Sequence, residues 1–391
     1  MSDHAILSPS SAERWIHCPP SAKINAEAPR RDTAYTTEGT QAHALAELKA
    51  RKRFLGGVGP KTWAKEIAQI EELWGEIPAE MRIHTDTYLE ALTEIYQAFR
   101  NPPHVAVEQK VDFGYYIPDA FGTCDCLMVG RLDETHEMLQ IVDFKYGKGV
   151  PVSAERNPQM MLYALGALLS YGDFYDIGAV GMTIVQPRVK SEPDTWTISP
   201  RELYEWAETV VKPAAKLAMA GEGDFAEGEW CRFCAIKGSC RARAEANLQA
   251  AKLEFRDAPE LSPEEIGEAL TLGQRLKSWL TDIEDYALTA CLDGREIPGY
   301  KAVAGRAVRA WTDQPAAFEA ARAAGVPEEK LYERKPVTLA ALEKVMGKKP
   351  FAAALGAYVT TPPGKPTLVP AADKRPPITG RPTANEDFKE E

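Results

Sequence analysis

The stretch Gly122-Thr-Cys-Asp125-Cys, followed by Ile141-Val-Asp143-Phe-Lys145, carries the residue types best suited to chemistry. Residues two apart on a strand share a face. Asp143 and Lys145 therefore project together, with Phe144 on the other side. If the segments 122–130 and 138–146 pair as a hairpin, Asp125 joins them. Two carboxylates and a lysine at one strand edge suit a divalent-metal phosphodiesterase. Carboxylate oxygens bind a hard cation such as Mg²⁺. The cation polarises phosphate and generates hydroxide from bound water, and an ammonium group orients that water or offsets the charge of the transition state. By itself Asp-x-Lys is also common on solvated strand faces, so the reading needs support from elsewhere in the chain.

Three further features supply it. Glu38-Gly39-Thr40-Gln41-Ala42-His43 opens a helical run to Lys52, with Gly39 as a turn, Thr40 as N-cap and His43 in the first turn. A histidine there is a metal ligand or a phosphate contact, or simply a half-buried side chain. Pro158 suits the first turn of a helix reaching Tyr171, and Gln159 and Tyr163 lie i and i+4 on one face of it. That pair could touch a substrate strand or hold Lys145. The third feature is Cys231-Arg-Phe-Cys234 followed by Cys240, a C-x2-C-x5-C set. Three clustered thiols need a fourth ligand to close a zinc site or hold a four-iron cluster, and Cys18 is the natural candidate. Cys124 and Cys126 flank Asp125 and are expected to point away from it together, into packing; Cys291 stands alone. Seven cysteines is an odd number, and C-x2-C is a metal or redox spacing, so disulfides are the weaker explanation.

In this order, Cys18, Gly39 to His43, Asp125, Asp143-x-Lys145, Gln159 to Tyr163, and Cys231, Cys234 and Cys240 resemble the RecB-like branch of the PD-(D/E)xK nucleases. More narrowly, they resemble its iron–sulfur members: the AddB nuclease domain and the CRISPR-associated RecB-like exonucleases. The opening Leu7-Ser-Pro-Ser-Ser-Ala-Glu-Arg-Trp-Ile-His-Cys18-Pro is similar to the way such domains begin, and the whole chain resembles an uncharacterised phage and prophage family. The likeness spans roughly residues 5–245. It implies that His43 sits beside the metal, that Asp125 and Asp143 are the metal-binding acids, and that Lys145 is the catalytic lysine. It further implies that Gln159 and Tyr163 lie against the site and contact DNA. Cys18, Cys231, Cys234 and Cys240 would be ligands of a structural [4Fe-4S] cluster, with Zn²⁺ as the alternative. Glu108, on the strand before Asp125, is a possible third carboxylate.

Helices are expected over 8–28, 39–54, 62–75, 84–100, 158–171 and 200–220, and strands over 104–112, 122–130, 138–146, 177–186 and 194–198. The fold class is thus α/β (α+β), a restriction-endonuclease-like mixed sheet flanked by helices. The nuclease domain takes residues 1–245, with a helical insertion at about 60–100; an accessory region spans 246–360, and an extended or disordered tail 361–391. In the accessory region Ser262-Pro263 starts a helix reaching Leu292, a β-hairpin is expected over 299–311, and short helices over 314–324 and 338–346. No apolar run approaches the roughly 18–20 residues that span a bilayer, and no leader precedes the first helix, so a cytoplasmic protein is expected; the resemblance implies that it is phage-encoded and works in a bacterial host. The net charge of −11 is unusual for a DNA-binding chain. It predicts weak, salt-sensitive binding unless a partner helps, although Arg232, Lys237, Arg241 and Arg243 could form a local basic patch. The expected activity is that of a Mg²⁺- or Mn²⁺-dependent deoxyribonuclease, an exonuclease on single- or double-stranded ends; the resemblance further implies that it works with a single-strand annealing or other recombination protein. The alternative is a non-catalytic DNA-binding or structural metal-cluster protein.

Overall fold

The computed structural model describes residues 6–29, 34–132, 136–149, 151–250, 262–304, 311–332 and 337–360. Its centre is made from the most continuous apolar runs of the chain. Cys126 to Gly130 of β2 (Phe121–Arg131) and Leu139 to Phe144 of β3 (Glu137–Phe144) are buried without interruption, as strands covered on both faces must be. With β1 (His104–Asp112), β4 (Ile177–Val185) and β5 (Asp194–Ile198) they form one sheet in the order β1-β2-β3-β4-β5. Every neighbouring pair is antiparallel except β3 and β4.

The helices preceding the sheet are α1 (Ala12–His17), α2 (Ser21–Glu27), α3 (Ala34–Ala50), α4 (Pro60–Trp74) and α5 (Ala79–Ala98). A parallel strand pair needs a long crossover, which α6 (Pro158–Tyr171) supplies between β3 and β4. Then come α7 (Pro200–Trp206), α8 (Lys212–Ala220), α9 (Arg241–Ala250) and α10 (Pro263–Leu292). One face of the sheet packs Leu127, Val129, Leu139 and Ile141 against α1, α2, α6, α7 and α8. The other packs Cys126, Met128, Val142 and Phe144 against α3, α4 and α5. The result is a mixed α+β architecture with helical layers on both sides of the sheet.

Several expectations are corrected in detail. The first helix is broken in two at Cys18-Pro19-Pro20, because a residue before proline is pushed out of the helical region. Thr40 is not a cap: its hydroxyl donates to the Thr36 carbonyl at 2.9 Å within α3, which is already helical at Ala34. Burial of Ala42, Leu45, Ala46 and Leu48 outweighs the cost of about 1 kcal/mol for Gly39 in a helix. His43 consequently sits well inside α3. Cys124 and Cys126 do not share a face, since Cys124 enters the α6-side core and Cys126 the α3-side core. The strand is irregular between them, where the β1–β2 ladder pairs Val107 with Cys126 and Gln109 with Cys124 but skips Glu108 and Asp125.

The chain divides into two compact units, residues 1–303 and 304–391. Helix α10 belongs to the first, and Ser262 caps it in a reciprocal arrangement with Glu265. The hairpin expected over 299–311 is not formed at 299–304, which show only an isolated bridge between Ile297 and Tyr300; its remainder lies outside the described residues. In the second unit α11 (Gln314–Ala323), α12 (Glu328–Leu331), α13 (Leu339–Met346) and α14 (Lys348–Leu355) are short. Trp311, Phe318 and Tyr332 stack edge to face there, at 6.3 and 5.3 Å between ring centres. The tail expected over 361–391 lies outside the described residues. Among the described residues no helix is long and apolar enough to cross a membrane.

Candidate active site

Pairing of β2 with β3 runs from Arg131–Glu137 to Cys126–Val142 and stops there. Asp125 and Asp143 are the next residues, at the fork where the two strands part. The Asp125 carboxylate spans the opening: Oδ2 accepts the Phe144 amide at 2.6 Å, and Oδ1 lies 3.2 Å from His43 Nδ1, carried in by α3. Glu108 reaches the same point from β1. Ligand atoms of His43, Glu108 and Asp125 all lie within 4.8 Å of one another, the grouping a cation needs. Glu108 has a backbone φ of 50° inside a strand. A non-glycine residue is rarely held there, and such strain gathers at functional sites. These three residues line a narrow cleft with Glu47, Tyr88 and Phe144. The buried Tyr88 hydroxyl lacks a hydrogen-bond partner among the described residues.

The titratable groups of this corner shift one another through burial and charge. Burial and the Asp125 and Glu47 charges push the Glu108 carboxyl up to about 7, against some relief from His43. Burial disfavours a charged His43, but the facing Asp125 carboxylate overrides it and raises the imidazole to about 9. For Asp125 burial pulls upward, and the His43 charge and hydrogen bond with the Phe144 amide overcome it, leaving the carboxyl below its ordinary value. Asp143 lies above its ordinary value, because burial dominates over Lys145 and the Asp125 charge adds to it.

Asp143 stands outside the close His43–Glu108–Asp125 set, toward α6. There Lys145 Nζ is 2.9 Å from Asp143 Oδ2 and donates to Gln159 Oε1 at 2.9 Å. Gln159 Nε2 lies 3.3 Å from Asp143 Oδ1 and 3.2 Å from the Tyr163 hydroxyl. The amide of Gln159 thus holds both ends of the Asp-x-Lys pair. Of the two uses suggested by the spacing of Gln159 and Tyr163, holding Lys145 is what the contacts display, and Tyr163 is buried. Asp143 Oδ2 is buried with an ammonium beside it but no well-directed donor. Gly122 lets this corner close: a Cβ there would come within 2.6 Å of Pro9 Cγ and 2.8 Å of Tyr163 Cε1.

Cys18, Cys231, Cys234 and Cys240 line a small cavity of about 10 Å³, together with Arg14 and Trp230. All four thiols are free. No three of them fall within 4.8 Å of one another, whereas zinc–sulfur bonds of 2.3 Å would hold sulfurs about 3.8 Å apart. Asn25 Nδ2 points at Cys234 Sγ from 3.6 Å, and its Oδ1 accepts the Ala235 amide at 2.8 Å. Neither Arg14 nor Asn25 is marked by any sequence spacing; both reach the cysteine loop only through the fold. The expected basic patch is divided. Lys237 and the buried Arg243 are both bound to Asp282 of α10, at 2.7 and 2.6 Å, leaving Arg232 and Arg241 exposed.

The chain matches the family described as "Protein of unknown function (DUF2800)" over residues 4–376, and it belongs to that family. Among solved structures it is similar to SSO0001 at 12% identity, covering 59% of this chain and 96% of that one, with a TM-score of 0.24. It is also similar to a Eubacterium rectale protein provisionally named an exonuclease, at 11% identity, covering 58% and 86% of the two chains, with a TM-score of 0.31.

Proposed function

We propose that this member of the DUF2800 family is a divalent-metal-dependent deoxyribonuclease, an exonuclease acting on DNA ends. The observation that supports the reading best is the convergence at the fork of β2 and β3: Asp125 and Asp143 lie just past the last paired residues, and Lys145 stands 2.9 Å from Asp143. His43, Glu108 and Asp125 form an oxygen-rich set that fits Mg²⁺ or Mn²⁺, with Asp143, held by Lys145 and Gln159, as the further acid. A cation bound there supplies Lewis-acid polarisation of the scissile phosphate and lowers the pKa of its water. Lys145, fixed by Gln159, brings a positive charge to where charge builds up on the phosphate oxygens, and it arrives pre-oriented. With Nδ1 held against Asp125, Nε2 is the nitrogen left for a cation, and it can serve as a ligand only when the imidazole carries its single proton on Nδ1.

Cys18, Cys231, Cys234 and Cys240 would hold a structural group that fastens the N-terminal helices to the segment after α8. By the same resemblance that group is a four-iron cluster, with zinc as the alternative. By analogy with the nucleases the chain resembles, the role is in phage DNA recombination, replication or repair beside a single-strand annealing protein. The test is degradation of end-labelled linear DNA, with circular DNA as control, in Mg²⁺ or Mn²⁺. The protein is expected to shorten the linear DNA from its ends, and Asp143→Asn and Lys145→Met to lower the rate by at least about 10²-fold. Unchanged activity in both variants would rule the site out.

A further inference from the structure

We propose that Phe233 and Arg232, on the cysteine loop, form the contact that receives an unpaired DNA strand beside the site. The inference rests on the nuclease reading and adds the form of substrate. Phe233 closes the short turn Glu229–Phe233 and leaves 78% of its surface in solvent. Its backbone is fixed all the same. Arg14 Nη1 donates to the Phe233 carbonyl at 3.1 Å, and the Cys234 amide donates to the Cys231 carbonyl at 3.0 Å. The ring is therefore held outward by ordered backbone on both sides. The Arg232 guanidinium lies 5.7 Å from the ring centre. One of its terminal nitrogens is 3.5 Å from where a Cβ on Gly149 would stand, on the loop that leaves Lys145. Exposed Lys148 is on that same loop. The ring and the guanidinium thus stand beside the loop that leaves Lys145, while the Lys148 ammonium on that loop faces Glu80 at 3.8 Å.

A phenyl ring offers a stacking surface to a base whose faces are free, and bases in a duplex have their faces covered. The guanidinium beside it suits the adjoining phosphate. The net charge of −11 sharpens the choice. A chain that repels phosphate overall gains little from general attraction to a duplex, whereas stacking does not depend on charge. Arg14 ties the Phe233 carbonyl to the cysteine cavity, so an ordered cysteine loop and an ordered stacking ring go together.

The full chain, with its metal content measured, is titrated against a fluorescein-labelled 15-mer of deoxythymidine and against a blunt 15-base-pair duplex, without added Mg²⁺ or Mn²⁺. Phe233→Ala is expected to weaken single-strand binding about tenfold and change duplex binding less than twofold. Phe233→Trp should keep wild-type affinity. A 2-aminopurine base in the single strand should be quenched by the wild type and by Phe233→Trp, and left bright by Phe233→Ala of equal metal content. Unchanged single-strand affinity and quenching in Phe233→Ala, or equal loss on both DNAs, would overturn the proposal. If only the nuclease reading is wrong, the binding pattern holds while Mg²⁺ produces no cleavage. If only the stacking contact is wrong, the wild type cleaves, and Phe233→Ala binds and cleaves like it.

Discussion

Replacing Glu108 by Gln tests whether the strained strand position exists to serve a cation. Glu108 is raised from 4.5 to about 7 by burial and by the Asp125 and Glu47 charges. A carboxyl whose folded pKa lies above its unfolded value contributes stability that is fully present below about pH 4.5 and is lost as pH rises through about 7. At face value that interval is worth about 3 kcal/mol. Glu108 is exposed at the cavity mouth, where solvent screening reduces it to roughly 1 kcal/mol. In metal-free buffer the two proteins should therefore melt together at pH 4.5, while at pH 8 Glu108→Gln melts about 2 °C higher. Mn²⁺ at a hundred times its dissociation constant stabilises the wild type by about 2.7 kcal/mol. A ten- to hundredfold weaker site in the variant would yield only about 0.4–1.4 kcal/mol at the same concentration, which erases its advantage. Scanning calorimetry at both pH values, with and without Mn²⁺, reads all four conditions. A variant that is no more stable than wild type at pH 8 without metal, or an equal rise with metal in both, would refute this account of Glu108.

Gly122→Ala should destabilise the protein by about 1–3 kcal/mol, because the new Cβ meets Pro9 and Tyr163 at 2.6 and 2.8 Å; urea denaturation measures it. Serine in place of any one of Cys18, Cys231, Cys234 or Cys240 should lower bound iron or zinc in elemental analysis, and with iron should reduce the brown absorption near ~400 nm. Asp282→Ala leaves the Arg243 guanidinium, 8% exposed, without its carboxylate. It should cost about 3–5 kcal/mol and loosen the cysteine loop, seen as faster amide exchange at Cys234 and Lys237. Burial pulls the Asp282 carboxyl upward, but Lys237 and Arg243 carry it below its ordinary value. The stability Asp282 contributes is therefore present above the ordinary carboxylate pKa and should fade as pH falls below it.

The sequence by itself determined the strands and the crossover. The strands expected over 104–112, 122–130, 138–146, 177–186 and 194–198 form within two residues of those bounds, and Asn157-Pro158 marked the start of α6, with the Asn157 side chain accepting the Gln159 and Met160 amides. Period-two geometry on β3 was enough to put Asp143 beside Lys145. What it could not fix is anything that depends on where two strands separate. Past the fork after Cys126 and Val142, Asp125 turns to His43 and Asp143 to Lys145 and Gln159, and the skipped Glu108–Asp125 position sends Cys124 and Cys126 into opposite cores. Local periodicity assumes a regular ladder and misses both. Likewise Thr40 looked like a cap because hydroxyls favour that position, yet packing of α3 against α5 and the sheet carried the helix past it. Contacts such as Arg14 with Phe233 or Asp282 with Arg243 join residues 219 and 39 apart in the chain. Such distances are closed by the burial of the cores, so no pattern of neighbouring residues records them.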